Sequence, residues 1–289
     1  MKYQEFLLEH YDSFNLKDIF ECGQCFRWNE EDDGSYTGIF SNNVMNVKRI
    51  DNGIFFKGIC EDDIVNTVID YFDLERDYEQ IKSILSKVDQ NMEESIKYGE
   101  GIRIVNQDLW ETIISFIISA NNNIPRIKGI IERLSKKYGR KIEFNNKEYY
   151  TFPTAEELKD VSVEEYRDLG LGFRDIRLYE TTNMILNKEI DISNLHKIKD
   201  TNKVRDELLK LSGVGPKVAD CILLFSTLKR FDVFPIDVWV RRVMNDLYIH
   251  KEDEKSIDKK EILNLAQEKF GNLEGIAQQY LFYWRRELG

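Results

Sequence analysis

The chain has 289 residues, 42% hydrophobic and 32% charged, with 52 acidic against 41 basic side chains and a formal net charge of −11. That suits one large or two average soluble domains with ample length for a core. No apolar run approaches the ~20 residues of a membrane span, and the start Met1-Lys2-Tyr3-Gln4-Glu5 has no long apolar leader, so a cytosolic chain, or a nuclear one where there is a nucleus, is expected.

Taken alone, the negative total argues against nucleic-acid binding. The charge is uneven, however. Residues 1–100 hold 10 Lys and Arg against 22 Asp and Glu, and residues 101–289 hold 31 against 30. The four cysteines, Cys22, Cys25, Cys60 and Cys221, are expected as thiols in a reducing compartment. Cys22-x-x-Cys25 has no second pair, and His10, His196 and His250 are scattered, so no zinc site and no other metal is expected.

In chain order, residues 1–100 alternate strand-like segments with turns. Cys25–Trp28, Ser35–Phe40, Asn43–Val47 and Ile54–Ile59 each suit a strand. Asp32-Asp33-Gly34, Ser41-Asn42-Asn43 and Asp51-Asn52-Gly53 supply turn chemistry. This reads as an antiparallel sheet, followed by helical periodicity over Asp62–Phe72 and Tyr78–Val88.

From about residue 101 the pattern is helical. Trp110–Ser119 is apolar nearly all round and reads as a central buried helix. Asn121-Asn122-Asn123 ends it, and a second helix runs from Ile124-Pro125 to near Gly139. The basic side chains of that stretch, Arg126, Lys128, Arg133, Lys136, Lys137, Arg140 and Lys141, are either a solvated face or a grip on a polyanion. Leu169-Gly170-Leu171-Gly172-Phe173-Arg174 is a loop before a helix from Asp175 to about Asn187.

Residues 208–242 read as helix, hairpin, helix, loop, helix. The hairpin is Gly213-Val214-Gly215, since two glycines take positive φ at little steric cost. Pro216 fits the first position of the next helix, which runs to near Thr227. Lys217 and Cys221 are four apart and share a helix face. Asp237 stands at the N-cap of a helix beginning Val238-Trp239-Val240. A lysine in a first helical turn opposes the helix dipole. It is either a solvated surface side chain or, in a cleft, an amine of lowered pKa able to form a Schiff base. In the C-terminal helix, Gln278 and Phe282 share one face.

Leu-Ser-Gly-Val-Gly-Pro-Lys at 211–217 with Pro-Ile-Asp-Val at 235–238 resembles the helix-hairpin-helix motif and trailing aspartate of the base-excision DNA glycosylase superfamily. Gly-Val-Gly-Pro-Lys-Val-Ala-Asp-Cys is similar to its 8-oxoguanine glycosylase branch, and the matching motifs run from Gly23 to Phe282. The resemblance implies an α+β chain. An antiparallel, TBP-like β domain would occupy 1–100 and an all-α catalytic domain 101–289, with the hairpin at 208–227. No cysteine follows Cys221, so the C-terminal iron–sulfur signature of endonuclease III-like relatives is absent.

The resemblance also implies roles. Gly23, in Gly-Gln-Cys-Phe-Arg-Trp, would offer its carbonyl to N7–H of 8-oxoguanine; normal guanine carries a bare acceptor there. Gln278 would read the Watson–Crick edge, with Phe282 and Cys221 on the two base faces. Asn121, Arg126 and Arg174 would meet the orphaned cytosine, with Phe173 as the wedge just before Arg174. Phe173 replaces the family's tyrosine, and Trp239 replaces a histidine near a phosphate. Amides around Gly213, Gly215 and Val218 would hold a phosphate, directly or through a monovalent ion. Lys217 would attack C1′ and form a Schiff base, and Asp237 would stabilise the cationic sugar. The partner would be duplex DNA containing 8-oxoguanine, nucleoid-associated in a prokaryote, met by a monomer needing no cofactor. The competing readings are a monofunctional alkyl-base glycosylase, which has no use for Lys217, and a non-catalytic DNA-binding module, which has no use for Asp237.

Overall fold

The computed structural model describes residues 1–9, 11, 13–253 and 256–288. His10, one of the three scattered histidines, lies outside the described residues. The chain opens with β1 (Lys2–Glu9), α1 (Leu16–Glu21), β2 (Trp28–Glu30), β3 (Tyr36–Phe40), β4 (Asn43–Ile50) and β5 (Gly53–Cys60). These strands form one antiparallel sheet in the order β1-β5-β4-β3-β2. Ser41 and Asn42 turn the β3–β4 hairpin with positive φ of 43° and 66°, as a two-residue hairpin requires.

Helices α2 (Ile64–Tyr71), α3 (Tyr78–Leu85), α4 (Gln90–Tyr98), α5 (Leu109–Ser119) and α6 (Ile124–Tyr138) follow. A small hairpin, β6 (Lys141–Phe144) and β7 (Lys147–Tyr150), precedes α7 (Val163–Asp168), α8 (Asp175–Leu186) and α9 (Thr201–Leu208). Next come α10 (Pro216–Phe225), α11 (Val238–Met244), α12 (Lys259–Phe270) and α13 (Glu274–Leu288). A short π-helical turn at Asn245–Ile249 ends in His250 with φ 58°. No helix among the described residues is long and apolar enough to cross a membrane.

Two large cores hold these layers. The sheet core gathers Phe14, Phe20, Trp28, Phe40, Phe56, Tyr71 and Phe72. Phe20 stacks on Trp28 at 4.1 Å and Phe40 on Tyr71 at 3.9 Å between ring centres. The helical core surrounds α5, whose Ile113, Ile114, Ile117 and Ile118 are fully buried. Tyr78, Ile81, Leu85, Met92 and Ile96 of α3 and α4 belong to this second core. Helices α3 and α4, which precede residue 100, therefore pack with the helical half, while α1 and α2 stay with the sheet.

The segment 22–28 stitches the two cores together. Cys25 and Trp28 enter the sheet core, and Cys22 and Phe26 enter the helical one. That division explains why Cys25–Trp28 is not the strand its residues suggest: only Trp28 joins the ladder. Gln24 fixes the crossing, donating to the Ile19 and Arg103 carbonyls at 2.8 and 2.7 Å and accepting from the Val105 amide at 2.9 Å.

Candidate active site

The hairpin follows from local chemistry. Gly213 has φ 81°, and the Val214 amide donates to the Leu211 carbonyl at 3.1 Å. Gly215, extended at φ −96° and ψ 178°, begins α10 with Pro216 as first residue and no side-chain cap. Most other helices here are capped by Asp, Asn or Ser. The first turn of α10 therefore keeps backbone donors for an outside acceptor. Val218 turns its side chain into the core, so only its amide can serve such a partner.

Lys217 extends from this turn. Its Nζ lies 5.5 Å from the ring centre of Phe116, on α5. It shares its helix face with the Cys221 sulfur one turn along and feels Asp237. Asp237 caps α11 by accepting the Val240 amide at 2.8 Å and remains partly exposed. Burial pushes the Cys221 thiol up to about 11. The Lys217 amine sits above its usual value; the Cys221 sulfur is the main cause, burial opposes, and Asp237 adds. This corrects the expectation of a lowered lysine pKa. At neutral pH the Cys221 thiol is itself uncharged, so the nearby Asp237 carboxylate is the group that holds the side chain as an ammonium against burial.

A second group of side chains adjoins. Gly23 has φ 90°, and a Cβ built there would touch Phe282 Cε1 at 3.4 Å and Arg286 Nη1 at 3.5 Å. One turn before Phe282 is Gln278, 5% exposed, whose Oε1 has no hydrogen-bond partner. Its neighbour Gln279 instead donates to the Cys22 carbonyl and docks α13 beside Gly23. The two groups connect through packing: Phe26 packs edge-on to Phe116 at 5.5 Å, beneath Lys217. Gln107 adds a polar tie, donating to the Gln24 carbonyl at 2.8 Å and the Phe225 carbonyl at 3.0 Å.

The third group lies at the end of α5. Asn121 has φ 51°. Arg126 is exposed and donates to the Gly170 carbonyl at 3.2 Å. Phe173 is 55% exposed, with the Arg174 guanidinium 4.3 Å and the Arg177 guanidinium 5.4 Å from its ring centre. Arg174 is 2% exposed and is spent on backbone carbonyls: Ala120 at 2.9 Å, Asn121 at 2.8 Å and Leu171 at 3.2 Å. In this state it shapes the Asn121 turn rather than reaching outward. Trp239 stands 46% exposed on α11 with Arg242 over its ring.

The basic stretch of α6 divides. Lys137 pairs with Glu165 and Lys141 with Glu143 and Glu148, while Lys128 donates to the Trp28 carbonyl. Arg126 and Arg133 turn to the 169–170 loop. Sequence reasoning passed over Phe116, Arg177 and Arg286; for the two arginines the glycines they abut, Gly213 and Gly23, carried the only signal. Among the described residues no group of three or more His, Cys, Asp or Glu side chains could hold a metal ion.

Comparison with known proteins agrees with this arrangement. Residues 6–113 match the family model of the 8-oxoguanine DNA glycosylase N-terminal domain, and residues 114–272 that of the HhH-GPD superfamily base excision DNA repair proteins. A probable N-glycosylase/DNA lyase of Methanothermobacter thermautotrophicus is 33% identical over 238 residues, 75% of this chain and 73% of that one. The structure of MBOgg1 with a low-affinity DNA ligand superposes with a TM-score of 0.93 at 46% identity, covering 100% of both chains. The Clostridium acetobutylicum 8-oxoguanine glycosylase/lyase, bound to duplex DNA with cytosine opposite 8-oxoguanine, gives 0.92 at 41% identity, covering 100% of this chain and 98% of that one.

The chain defines a helix-hairpin-helix DNA glycosylase with lyase activity. Within that superfamily it belongs to the 8-oxoguanine DNA glycosylases.

Proposed function

We propose that the protein excises 8-oxoguanine from duplex DNA, preferring cytosine opposite, through a Schiff base on Lys217 and β-elimination. The observation that carries this reading is the Lys217 amine itself, held at Cys221 above Phe116 with Asp237 nearby, in the first turn of an uncapped helix. Duplex DNA seats a phosphate on the hairpin amides of Gly213, Gly215 and Val218, and Trp239 offers an indole N–H beside them. Phe173 enters the stack where the base has left, at a cost of a few kcal/mol for unstacking. Arg174 holds the turn that presents Asn121, and Asn121 and Arg126 meet the orphaned cytosine.

The extruded base lies between Phe282 and Cys221. The unpaired Gln278 Oε1 supports an amide kept for a ligand, since an idle buried acceptor costs roughly 1–3 kcal/mol. The Gly23 carbonyl accepts N7–H of the lesion and repels the bare N7 of guanine. As the C1′–N9 bond breaks, its electron pair leaves with the base, and positive charge on the sugar faces the Asp237 carboxylate. The proton that Lys217 carries at neutral pH passes to the departing base, and the free amine attacks C1′. Ring opening gives the Schiff base, and β-elimination nicks the strand on its 3′ side. All these residues belong to one chain, which suits a monomer.

The test uses duplexes carrying 8-oxoguanine opposite each of the four bases, with excision and nicking measured separately. Excision fastest opposite cytosine, with nicking at the same site, is expected. Equal excision of undamaged guanine would overturn the reading.

A further inference from the structure

Four arginines, Arg126, Arg133, Arg174 and Arg177, cluster at the 169–174 loop, and three of them donate to backbone carbonyls there. Arg126 and Arg133 donate to the Gly170 and Leu169 carbonyls, and Arg174 is enclosed. Arg177, on α8, makes no hydrogen bond or ion pair among the described residues, although it is partly buried. The nearby acids of α8 are engaged: Asp175 pairs with Arg167 at 2.8 Å, and Glu180 accepts the Ser212 hydroxyl at 2.5 Å. The cluster therefore concentrates positive charge with no acidic partner of its own, in a chain whose net charge is −11.

The stem of Arg177 lies over the hairpin. A Cβ at Gly213 would stand 2.9 Å from its Cδ and 3.1 Å from its Cβ. Its guanidinium is 5.4 Å from the Phe173 ring centre. One side chain thus touches both the hairpin glycine and the exposed aromatic ring.

We propose that Arg177 is a positioning residue that joins the Phe173 loop to the 213–215 hairpin and binds a DNA backbone phosphate between them. The aliphatic stem fixes the spacing of the two elements, and the guanidinium supplies the charge. A phosphate there relieves the mutual repulsion of Arg126, Arg174 and Arg177. The coupling half of this inference rests on Phe173 acting as the wedge; the phosphate half does not.

The experiment measures binding of the full chain to a duplex with a tetrahydrofuran abasic-site analogue across a salt series, together with single-turnover excision and melting temperature. Arg177→Met keeps the stem and removes the charge. It should bind about eightfold more weakly at 0.1 M salt, with a log–log salt slope smaller by about 0.9, the value for one phosphate contact. Its melting temperature should be unchanged, and Arg177→Lys should restore the slope. A wild-type slope in Arg177→Met overturns the phosphate contact, as does equal loss in both variants with a lowered melting temperature. Arg177→Ala, which removes the stem, and Phe173→Ala should be non-additive in excision rate; additive effects overturn the coupling. If Phe173→Ala alone leaves excision unchanged while Arg177→Met still loses slope, the wedge reading fails and the phosphate contact stands.

Discussion

Asp237 carries two duties that substitution can separate. It caps α11 through the Val240 amide and faces the lysine. Asparagine caps a helix as well as aspartate does, whereas alanine loses about 1 kcal/mol. Asp237→Asn should therefore keep the melting temperature and lose excision, and Asp237→Ala should lose both; thermal unfolding beside single-turnover rates checks this. Gln278 shows the opposite balance. Gln278→Leu removes an unpaired buried acceptor, so stability should hold or rise by about 1 kcal/mol while kcat/KM for excision falls. Sequence spacing set the Asp237 cap and the helix position of Gln278 one turn before Phe282, while the roles assigned to them came from the family resemblance. The charge state of Lys217 was not legible, because it depends on a carboxylate whose distance only the fold sets.

The hairpin tests its two glycines differently. Gly213 is in the left-handed region with Arg177 and Ile117 pressed against it, so Gly213→Ala should cost about 1–2 kcal/mol of stability and weaken DNA binding. Gly215 has ordinary φ and nothing within 4 Å of an added Cβ. Gly215→Ala should leave the unfolding free energy within about 0.5 kcal/mol of wild type and still reduce affinity, since the methyl would occupy the phosphate's space. The long, strongly patterned elements were readable: α5, α6, α8 and α10 fall within two residues of their expected limits at nearly every end. The β6–β7 hairpin was not, because its turn is Asn145-Asn146, both at positive φ, in place of a glycine. Residues 25–28 misread as a strand because apolar side chains divided between two cores mimic alternation.

At the scale of the molecule, the packing of α13 on α10 encloses a carboxyl. Glu274 is 6% exposed, and its pKa is raised from 4.5 to about 7 by burial first, then by Asp232 and Asp220, against Arg205. The folded chain thus keeps a proton that the unfolded chain loses between pH 4.5 and about 7. Stability from this group is full below pH 4.5 and is lost as the pH rises through about 7. Glu274→Gln should be more stable than wild type at pH 8, by on the order of 3 kcal/mol at most, and near wild type at pH 5. An unchanged pH dependence would contradict it. The two-part architecture was visible in the change from strand-like to helical periodicity near residue 61, where the last strand of the sheet ends. The membership of α3 and α4 in the helical core was not, since amphipathic helices do not state which neighbour covers them.

The most direct test of the whole account is borohydride trapping on a duplex with 8-oxoguanine opposite cytosine. Wild-type protein should give a covalent protein–DNA adduct, and Lys217→Gln should bind the same duplex and give none. An undiminished adduct from Lys217→Gln would mean that another amine performs the chemistry.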